Sequence, residues 1–303
     1  LLYWSKDNNL AVALGSAVYV WSAESGEIVQ LFDNVGCNVT SVSWAQQGSY
    51  LAVGTANNEV QLWDVTKQKQ LRSMDGHTGR VSCLSWNNHQ LSSAGRDTSI
   101  INHDVRIQSH ISSVFQGHTQ EVCGLSWSLD GSQLASGGND NLVNIWELSD
   151  TSKPKFSFTD HCAAVKALAW CPFQPSTLAS GGGTADGCIR FWNTQTGACL
   201  NTINTNNQVC ALQWSRHYKE IASSHGIRNN INIWKSPSMV KTAELTGHTS
   251  KVLFMAQSPD GTTLVSASGD ETLRFWKVWQ PEEAKVVKTK SLKQSTSTVA
   301  KLR

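Results

Sequence analysis

Residues 117–146, GHTQEVCGLSWSLDGSQLASGGNDNLVNIW, contain one full unit of the pattern that decides the fold. Two alternating apolar segments in this stretch each end in a tryptophan, Trp127 and Trp146. Between them lie the turn SLDG, a segment of small residues and a tight turn that contains Asn139 and Asn141. Short alternating segments broken by Gly, Asn and Asp are typical of antiparallel strands. The stretch therefore predicts three successive strands joined by turns.

The same unit recurs along the whole chain with a period of about forty residues, as in propeller repeats. The tryptophans that close the later strand are Trp21, Trp63, Trp146, Trp192, Trp234 and Trp276. Those on the earlier strand are Trp4, Trp44, Trp86, Trp127, Trp170 and Trp214. His103 fills the gap in the first register, and Gln257 takes the seventh position of the second. Two registers of seven members predict seven units.

Each unit also has a fourth strand, such as KQLRSM at residues 69–74. Four short strands per repeat are typical of a propeller blade. We therefore predict an all-β fold, a seven-bladed WD-repeat β-propeller with four antiparallel strands per blade, over residues 1–280. Blade seven lacks a fourth strand after Trp279, and we expect residues upstream of Leu1, rather than the lysine-rich stretch 283–290, to supply it. Residues 281–303 are expected to form a flexible tail.

Composition excludes several classes of function. The net charge is only +2, from 25 basic and 23 acidic residues, so the chain has no basic field for nucleic acid or an anionic membrane surface. No apolar run approaches the length of a membrane helix. The cysteines are scattered without a C-x-x-C pair, which indicates reduced thiols and an intracellular protein.

Histidines and aspartates recur at matching places in several units. A His, an Asp, an intervening Ser or Thr and an indole N–H can form one buried hydrogen-bonded chain across a blade. The sets that we single out are His118 with Asp140 and Trp146, and His248 with Asp270 and Trp276. Repetition in four blades favours a structural network over a catalytic dyad. We expect no enzyme activity, no metal site and no cofactor, since ligand spacings and phosphate-loop motifs are also lacking.

Several segments resemble one known family beyond the generic repeat. They are LAVALGSAVYVWSAESGEI, YLAVGTANNEVQLWDV, AVKALAWCPFQPSTLASGGGTADGCIRFWN and SPDGTTLVSASGDETLRFW. Together they resemble the Fizzy family, the cell-division-cycle-20 coactivators of the anaphase-promoting complex, and GGNDNLVNIW is more similar to the mitotic Fizzy branch than to its Fizzy-related sister. The match covers essentially residues 1–280.

The resemblance implies a substrate-recognition and activator subunit of a ubiquitin ligase, working in the nucleus and cytoplasm. Its implied ligands are the destruction-box (R-x-x-L) and KEN degrons of cyclins and securin. Mitotic checkpoint proteins are implied partners as well, namely an inhibitor that presents a KEN box as a pseudosubstrate and its HORMA-domain partner. The alternative is a WD-repeat scaffold that holds a stable complex without recognising degrons.

The resemblance also implies the residues of each site. The KEN site would use Asn139, Asn141, Thr184, Gln208 and Lys251 at one rim of the ring. Amide side chains suit this role because they both donate and accept hydrogen bonds. Lys251 stands where relatives carry Arg, so it keeps the charge but lacks the planar fork of a guanidinium.

The destruction-box groove would lie between blades one and seven. Glu271 would pair with the arginine of the motif, and Tyr3, where relatives often show Asp, would form an aromatic wall. Leu302 and Arg303 resemble the Ile-Arg tail with which the family docks on the ligase. The family's N-terminal docking arm is not expected in this chain.

Overall fold

The computed structural model describes residues 1–46, 49–280 and 298–301, and these form twenty-eight β-strands and no helix. Within the described residues no helix could therefore cross a lipid bilayer. The strands group into seven antiparallel sheets of four. The first three are β1 Leu2–Trp4, β2 Asn9–Leu14, β3 Ala17–Ser22 and β4 Ile28–Asp33; β5 Val39–Trp44, β6 Tyr50–Thr55, β7 Val60–Asp64 and β8 Lys69–Met74; and β9 Val81–Asn87, β10 Gln90–Gly95, β11 Ile100–Asp104 and β12 Ile111–Phe115.

The other four sheets repeat this order. They are β13 Val122–Trp127, β14 Gln133–Gly138, β15 Val143–Glu147 and β16 Phe156–Phe158; β17 Val165–Trp170, β18 Thr177–Gly182, β19 Cys188–Asn193 and β20 Cys199–Asn204; β21 Val209–Trp214, β22 Glu220–His225, β23 Ile231–Lys235 and β24 Val240–Leu245; and β25 Val252–Gln257, β26 Thr263–Ser268, β27 Thr272–Lys277 and β28 Thr298–Lys301. The first strand of each sheet contacts the first strand of the next, and β25 contacts β1, so the ring is closed. The predicted seven-bladed propeller is confirmed.

Blade seven departs from the expectation that residues upstream of Leu1 supply its fourth strand. The fourth strand is Thr298–Lys301, which pairs antiparallel with β27 and lies within the segment expected to be a flexible tail. Without it, β27 would present a row of unpaired backbone groups at the edge of the sheet. The lysine-rich composition misled the prediction because an outer strand needs only backbone pairing on one side.

The tryptophans of the inner strands join neighbouring blades. Four of these indole N–H groups donate to a backbone carbonyl on the inner strand of the preceding blade: Trp44 to Tyr3 at 3.2 Å, Trp86 to Ser43 at 3.0 Å, Trp170 to Ser126 at 2.9 Å and Trp214 to Ala169 at 3.1 Å. Trp4 instead donates to Asn8 Oδ1 of its own blade at 3.0 Å. Trp127 follows a variant in which it donates to Ser92 Oγ of the preceding blade at 2.9 Å. These rings are also buried between the sheets, so one residue supplies both apolar contact and a directed bond.

In blades four to seven the tryptophan of the third strand instead donates to a serine of its own blade. In blade four, Trp146 Nε1–H donates to Ser136 Oγ at 2.8 Å, and Ser136 Oγ lies 2.8 Å from His118 Nε2. His118 Nδ1 in turn lies 3.0 Å from the Asp140 carboxylate. Burial alone would raise the pKa of Asp140, but hydrogen bonds from His118 and a backbone N–H lower it below its usual value. Asp140 therefore stays ionised and anchors the rim turn from below.

Two further blades contain the same network. It joins His161, Asp186, Ser180 and Trp192 in blade five, and His248, Asp270, Ser266 and Trp276 in blade seven. The intervening residue is a serine each time, and its hydroxyl is fully buried. Each serine accepts from an indole and donates to a histidine, which leaves no polar atom of the network unpaired.

Blade three replaces the third-strand tryptophan with His103 and extends the network. His103 Nε2 lies 2.7 Å from Ser93 Oγ, which also lies 2.7 Å from His77 Nε2. Because His77 Nδ1 donates to the Asp97 carboxylate at 2.9 Å, its Nε2 must accept from Ser93, and Ser93 must accept from His103. His103 Nδ1 is then left as an acceptor, and His110 Nδ1, 2.9 Å away, is its donor. The imidazole thus takes the place of an indole only because a second histidine covers its extra nitrogen.

Removing the serine hydroxyl should destabilise a blade more than its small volume suggests. In Ser136→Ala, the Trp146 N–H and His118 Nε2 both lose their buried partner, so we expect the free energy of unfolding to fall by about 1–3 kcal/mol. Chemical denaturation would measure this. Ser157→Ala, on the exposed fourth strand of the same blade, is the matched control and should change stability little. Equal effects of the two substitutions would contradict the network.

His103 should make stability depend on pH. Its burial, followed by the nearby charges of His110, His77 and Arg72, lowers its pKa from 6.5 to about 3. The unfolded chain therefore takes up this proton first as the pH falls, so the stabilisation is complete above pH 6.5 and is lost progressively toward pH 3. We expect the fall in unfolding free energy between pH 7 and 5 to be shallower in His103→Trp than in the unsubstituted chain. Identical slopes in denaturant titrations would refute the assignment.

Candidate functional site

One face of the ring is built from two kinds of loop. These are the turns between the second and third strands of each blade and the loops that enter each inner strand, which end on the same side in an antiparallel meander. All five predicted KEN residues lie on this face. Asn139 and Asn141 are in the β14–β15 turn, Thr184 is in the β18–β19 turn, Gln208 precedes β21 and Lys251 precedes β25. The structure thus places them on one rim, in blades four to seven.

In the β14–β15 turn, Asn139 and Asn141 lie at the rim, and Asp140 between them points into the blade. Asp140 points inward to His118, as described above. Asn139 is exposed, and its backbone N–H donates to Glu121 O at 2.8 Å while its Oδ1 accepts from Cys123 Sγ–H at 3.1 Å. Asn141 has a φ of 68°, a left-handed conformation that Asn tolerates better than most residues. Within the described chain its side chain has no hydrogen-bond partner, so its amide is available to a ligand.

Hydrogen bonds also fix the backbone beneath the other rim residues. The Gln208 carbonyl accepts from the Gly226 N–H at 3.3 Å and from His225 Nδ1 at 3.2 Å. The Lys251 carbonyl accepts from the Gly269 N–H at 3.0 Å. The Lys251 side chain is exposed, and no carboxylate of the described residues pairs with it. The rim therefore offers amides, a hydroxyl from the exposed Thr184 and a cation on a fixed backbone.

Glu271 lies on the same face, in the β26–β27 turn of blade seven. Its side chain is exposed, its φ is 62° and its N–H donates to Ser268 O at 3.2 Å. No basic residue of the described chain forms an ion pair with it, so its carboxylate can receive a cation from a ligand.

Tyr3 is not joined to Glu271. It lies on the inner strand of blade one, immediately before the end of that strand, and β1 contacts β25 of blade seven. Tyr3 is 43% exposed, and Arg216, which follows β21 on the opposite face of the ring, lies in its electrostatic range. Tyr3 thus lies on an inner strand and Glu271 in a rim turn, and no contact of the described residues joins their side chains. Leu302 and Arg303 lie outside the described residues.

Sequence reasoning passed over one charged residue in the channel. Lys166 is the second residue of β17, and its Nζ lies 4.1 Å from the centre of the Phe254 ring on β25. Desolvation by the channel wall around its ammonium group is the main cause that lowers its pKa. The signal was present in the sequence, since the corresponding position of the other inner strands is uncharged: Thr40, Ser82, Cys123, Cys210 and Leu253.

Comparisons with known proteins match this architecture closely. The model of a family described as the CDC20/Fizzy WD40 domain covers residues 1–276. The Anaphase-promoting complex subunit cdc20 of Dictyostelium discoideum is 56% identical over 287 residues, which are 93% of this chain and 58% of that protein. Cell division cycle 20.1, cofactor of APC complex, of Arabidopsis thaliana is 54% identical over 314 residues, or 100% of this chain and 68% of the relative. The chain thus spans between about half and two thirds of such relatives.

A solved structure extends the match to three dimensions. A chain from the Crystal Structure of Mitotic Checkpoint Complex superposes with a TM-score of 0.91 and 50% sequence identity, and the alignment covers 92% of this chain and 87% of that one. Sequence and structure therefore agree on the relatives, and the resemblance found in the repeat segments is confirmed.

Proposed function

The chain belongs to the CDC20/Fizzy WD40 family, and from that membership we propose that it is the substrate-recognition and activator subunit of an anaphase-promoting complex ubiquitin ligase. Its ligands would be KEN and destruction-box degrons of cyclins and securin. Its other partners would be checkpoint proteins, namely a KEN-bearing pseudosubstrate inhibitor and the HORMA-domain protein bound with it. Relatives named as a subunit or a cofactor of that complex support the proposal, as does the neighbour from the mitotic checkpoint complex. The site of action would be the nucleus and cytoplasm.

The observation that carries the degron proposal is the β14–β15 turn. Asp140 is bonded to His118 inside the blade, and this bond fixes the turn. The side chains of Asn139 and Asn141 lie at the rim, where a ligand can reach them. A peptide backbone offers alternating donors and acceptors, and a primary amide can satisfy both. Thr184 and Gln208 add further polar groups around the channel mouth, and Lys251 adds a positive charge for the motif's glutamate.

The same geometry supports recognition rather than catalysis. The members of the family are WD40 coactivators, a class of fold that is generally non-catalytic. The residue types that could form a catalytic triad are present in blades three, four, five and seven, but each serine hydroxyl is fully buried and already bonded to two side chains, an indole and a histidine or, in blade three, two histidines. Such a hydroxyl cannot reach a substrate.

The KEN site is best tested with Asn141→Gly. Glycine accepts the left-handed backbone, so the substitution removes the amide without straining the turn, whereas alanine would add strain. Losing one or two hydrogen bonds should weaken a labelled KEN peptide about 3- to 10-fold in fluorescence anisotropy. Asn58→Gly is the matched control, because Asn58 has a φ of 67° at the equivalent turn of blade two. A folded chain that binds neither KEN nor R-x-x-L peptides would be a scaffold instead.

The destruction-box carboxylate is tested with Glu271→Gln, which keeps the size and removes the charge. A charge-assisted bond to arginine is worth about 1.5–3 kcal/mol, so affinity for an R-x-x-L peptide should fall tenfold or more. KEN binding should not change. Replacing the peptide's arginine by glutamine supplies the second arm, since the two changes should not add if the groups pair. Fully additive losses would remove Glu271 from the site.

A further inference from the structure

The central channel contains an isolated cation. The inner strands line this channel, and the residue after the buried valine that begins most of them faces it. In blade five that residue is Lys166, which is accessible to solvent from the channel. In the other inner strands that begin with valine it is uncharged, as noted above. Blade five therefore carries a positive charge at a position where the repeat pattern does not require one.

The Lys166 side chain crosses the channel instead of extending to its own rim. Its Nζ reaches the Phe254 ring of blade seven, past blade six, with a cation–π distance of 4.1 Å. The thiols of Cys83, Cys123 and Cys210 lie in its electrostatic range. Among the described residues no carboxylate forms an ion pair with it. A partly desolvated ammonium facing an aromatic ring and neutral thiols lacks a counter-charge, and a ligand could supply one.

Two cysteines relate this cation to the rim residues. Cys123, in its electrostatic range, donates its thiol proton to the side chain of Asn139. Cys210 is in the range of both Lys166 and Lys251, and it follows Gln208 by two residues. The ring that Lys166 contacts, Phe254, follows Lys251 by three residues at the start of β25, so the two lysines lie near one stretch of channel wall.

We propose that Lys166 and Lys251 form a carboxylate subsite at the channel mouth, in which the glutamate of a bound KEN peptide enters above Cys210 and accepts hydrogen bonds from both ammonium groups. The proposal rests on the proposed degron-binding function and adds a specificity-determining residue to it. A single lysine is a point charge and cannot offer the paired donors of a guanidinium. A second ammonium from below supplies the second donor.

The competing role for Lys166 is a strut that only links blades five and seven through Phe254. Lys166→Met separates the two roles, because methionine keeps an unbranched apolar stem and its sulfur packs well on aromatic rings, while the charge is lost. Lys69→Met, on the exposed fourth strand of blade two, controls for the change in net charge.

The test is a cycle of two proteins and two peptides, read by fluorescence anisotropy. The Lys166→Met chain should bind a KEN peptide about 5- to 10-fold more weakly, and the same chain should bind a KQN peptide as the unsubstituted chain does. Lys69→Met should leave both affinities unchanged. Equal losses for the KEN and KQN peptides would show that Lys166 meets no peptide carboxylate, which overturns the subsite.

A second measurement separates failure of the subsite from failure of the degron function. Thermal melts in sodium sulfate are compared with melts in sodium chloride of equal ionic strength. A larger sulfate-dependent rise in Tm for the unsubstituted chain than for Lys166→Met supports an anion subsite, even if no KEN peptide binds and the degron proposal falls. Equal rises, together with no KEN binding, overturn both.

Discussion

The fold depends on indole N–H groups that leave one blade and donate to the inner strand of the blade before it. A four-stranded sheet has two apolar faces and is unstable alone, so each blade must be covered on both sides. Apolar contact between the faces is not directional, so by itself it would allow neighbouring sheets to shift relative to each other. A directed bond from Trp44, Trp86, Trp170 or Trp214 to a backbone carbonyl fixes the register between sheets, and with it the height of every rim loop. A binding surface assembled from several blades requires this fixed height.

The tryptophans of the third strands use the same indole N–H group for a different purpose, bonding within a blade. In blades four, five and seven the indole donates to a serine inside its own blade, and the histidine beyond that serine binds the carboxylate of the rim turn. Because Asp140 is held in this way, the residues on either side of it can be specialised without loss of the turn. The structural network and the candidate binding residues are thus adjacent in sequence but opposite in direction, and this explains how one repeat pattern can carry a site that differs from blade to blade.

The sequence predicted the features that recur from blade to blade, and it predicted less well the features found in a single blade. Seven blades and the place of His103 follow from spacing alone. That His103 needs His110 as a donor does not, because the pairing depends on the path of the loop that carries His110, which the repeat spacing does not specify. The strand Thr298–Lys301 was missed because composition reports on side chains, whereas an open sheet edge selects any segment that can supply backbone groups. Tyr3 and Glu271 were assigned to one groove by resemblance, which carries positions but no distances between them.

The setting of Lys166 also could not be predicted from the sequence of its own strand. A lysine in an alternating strand is ordinarily read as a solvated residue, and only ring closure turns that solvent into a narrow channel facing six other strands. The rim amides around that channel compete with water for every hydrogen bond, so they select a ligand more than they hold it. A cation that is already partly desolvated loses less hydration when a carboxylate arrives, and its attraction is screened less than at the surface. Most of the binding free energy in this site should therefore come from the cation in the channel, and the selectivity should come from the rim amides. The modest affinity of each motif is raised when several motifs bind together.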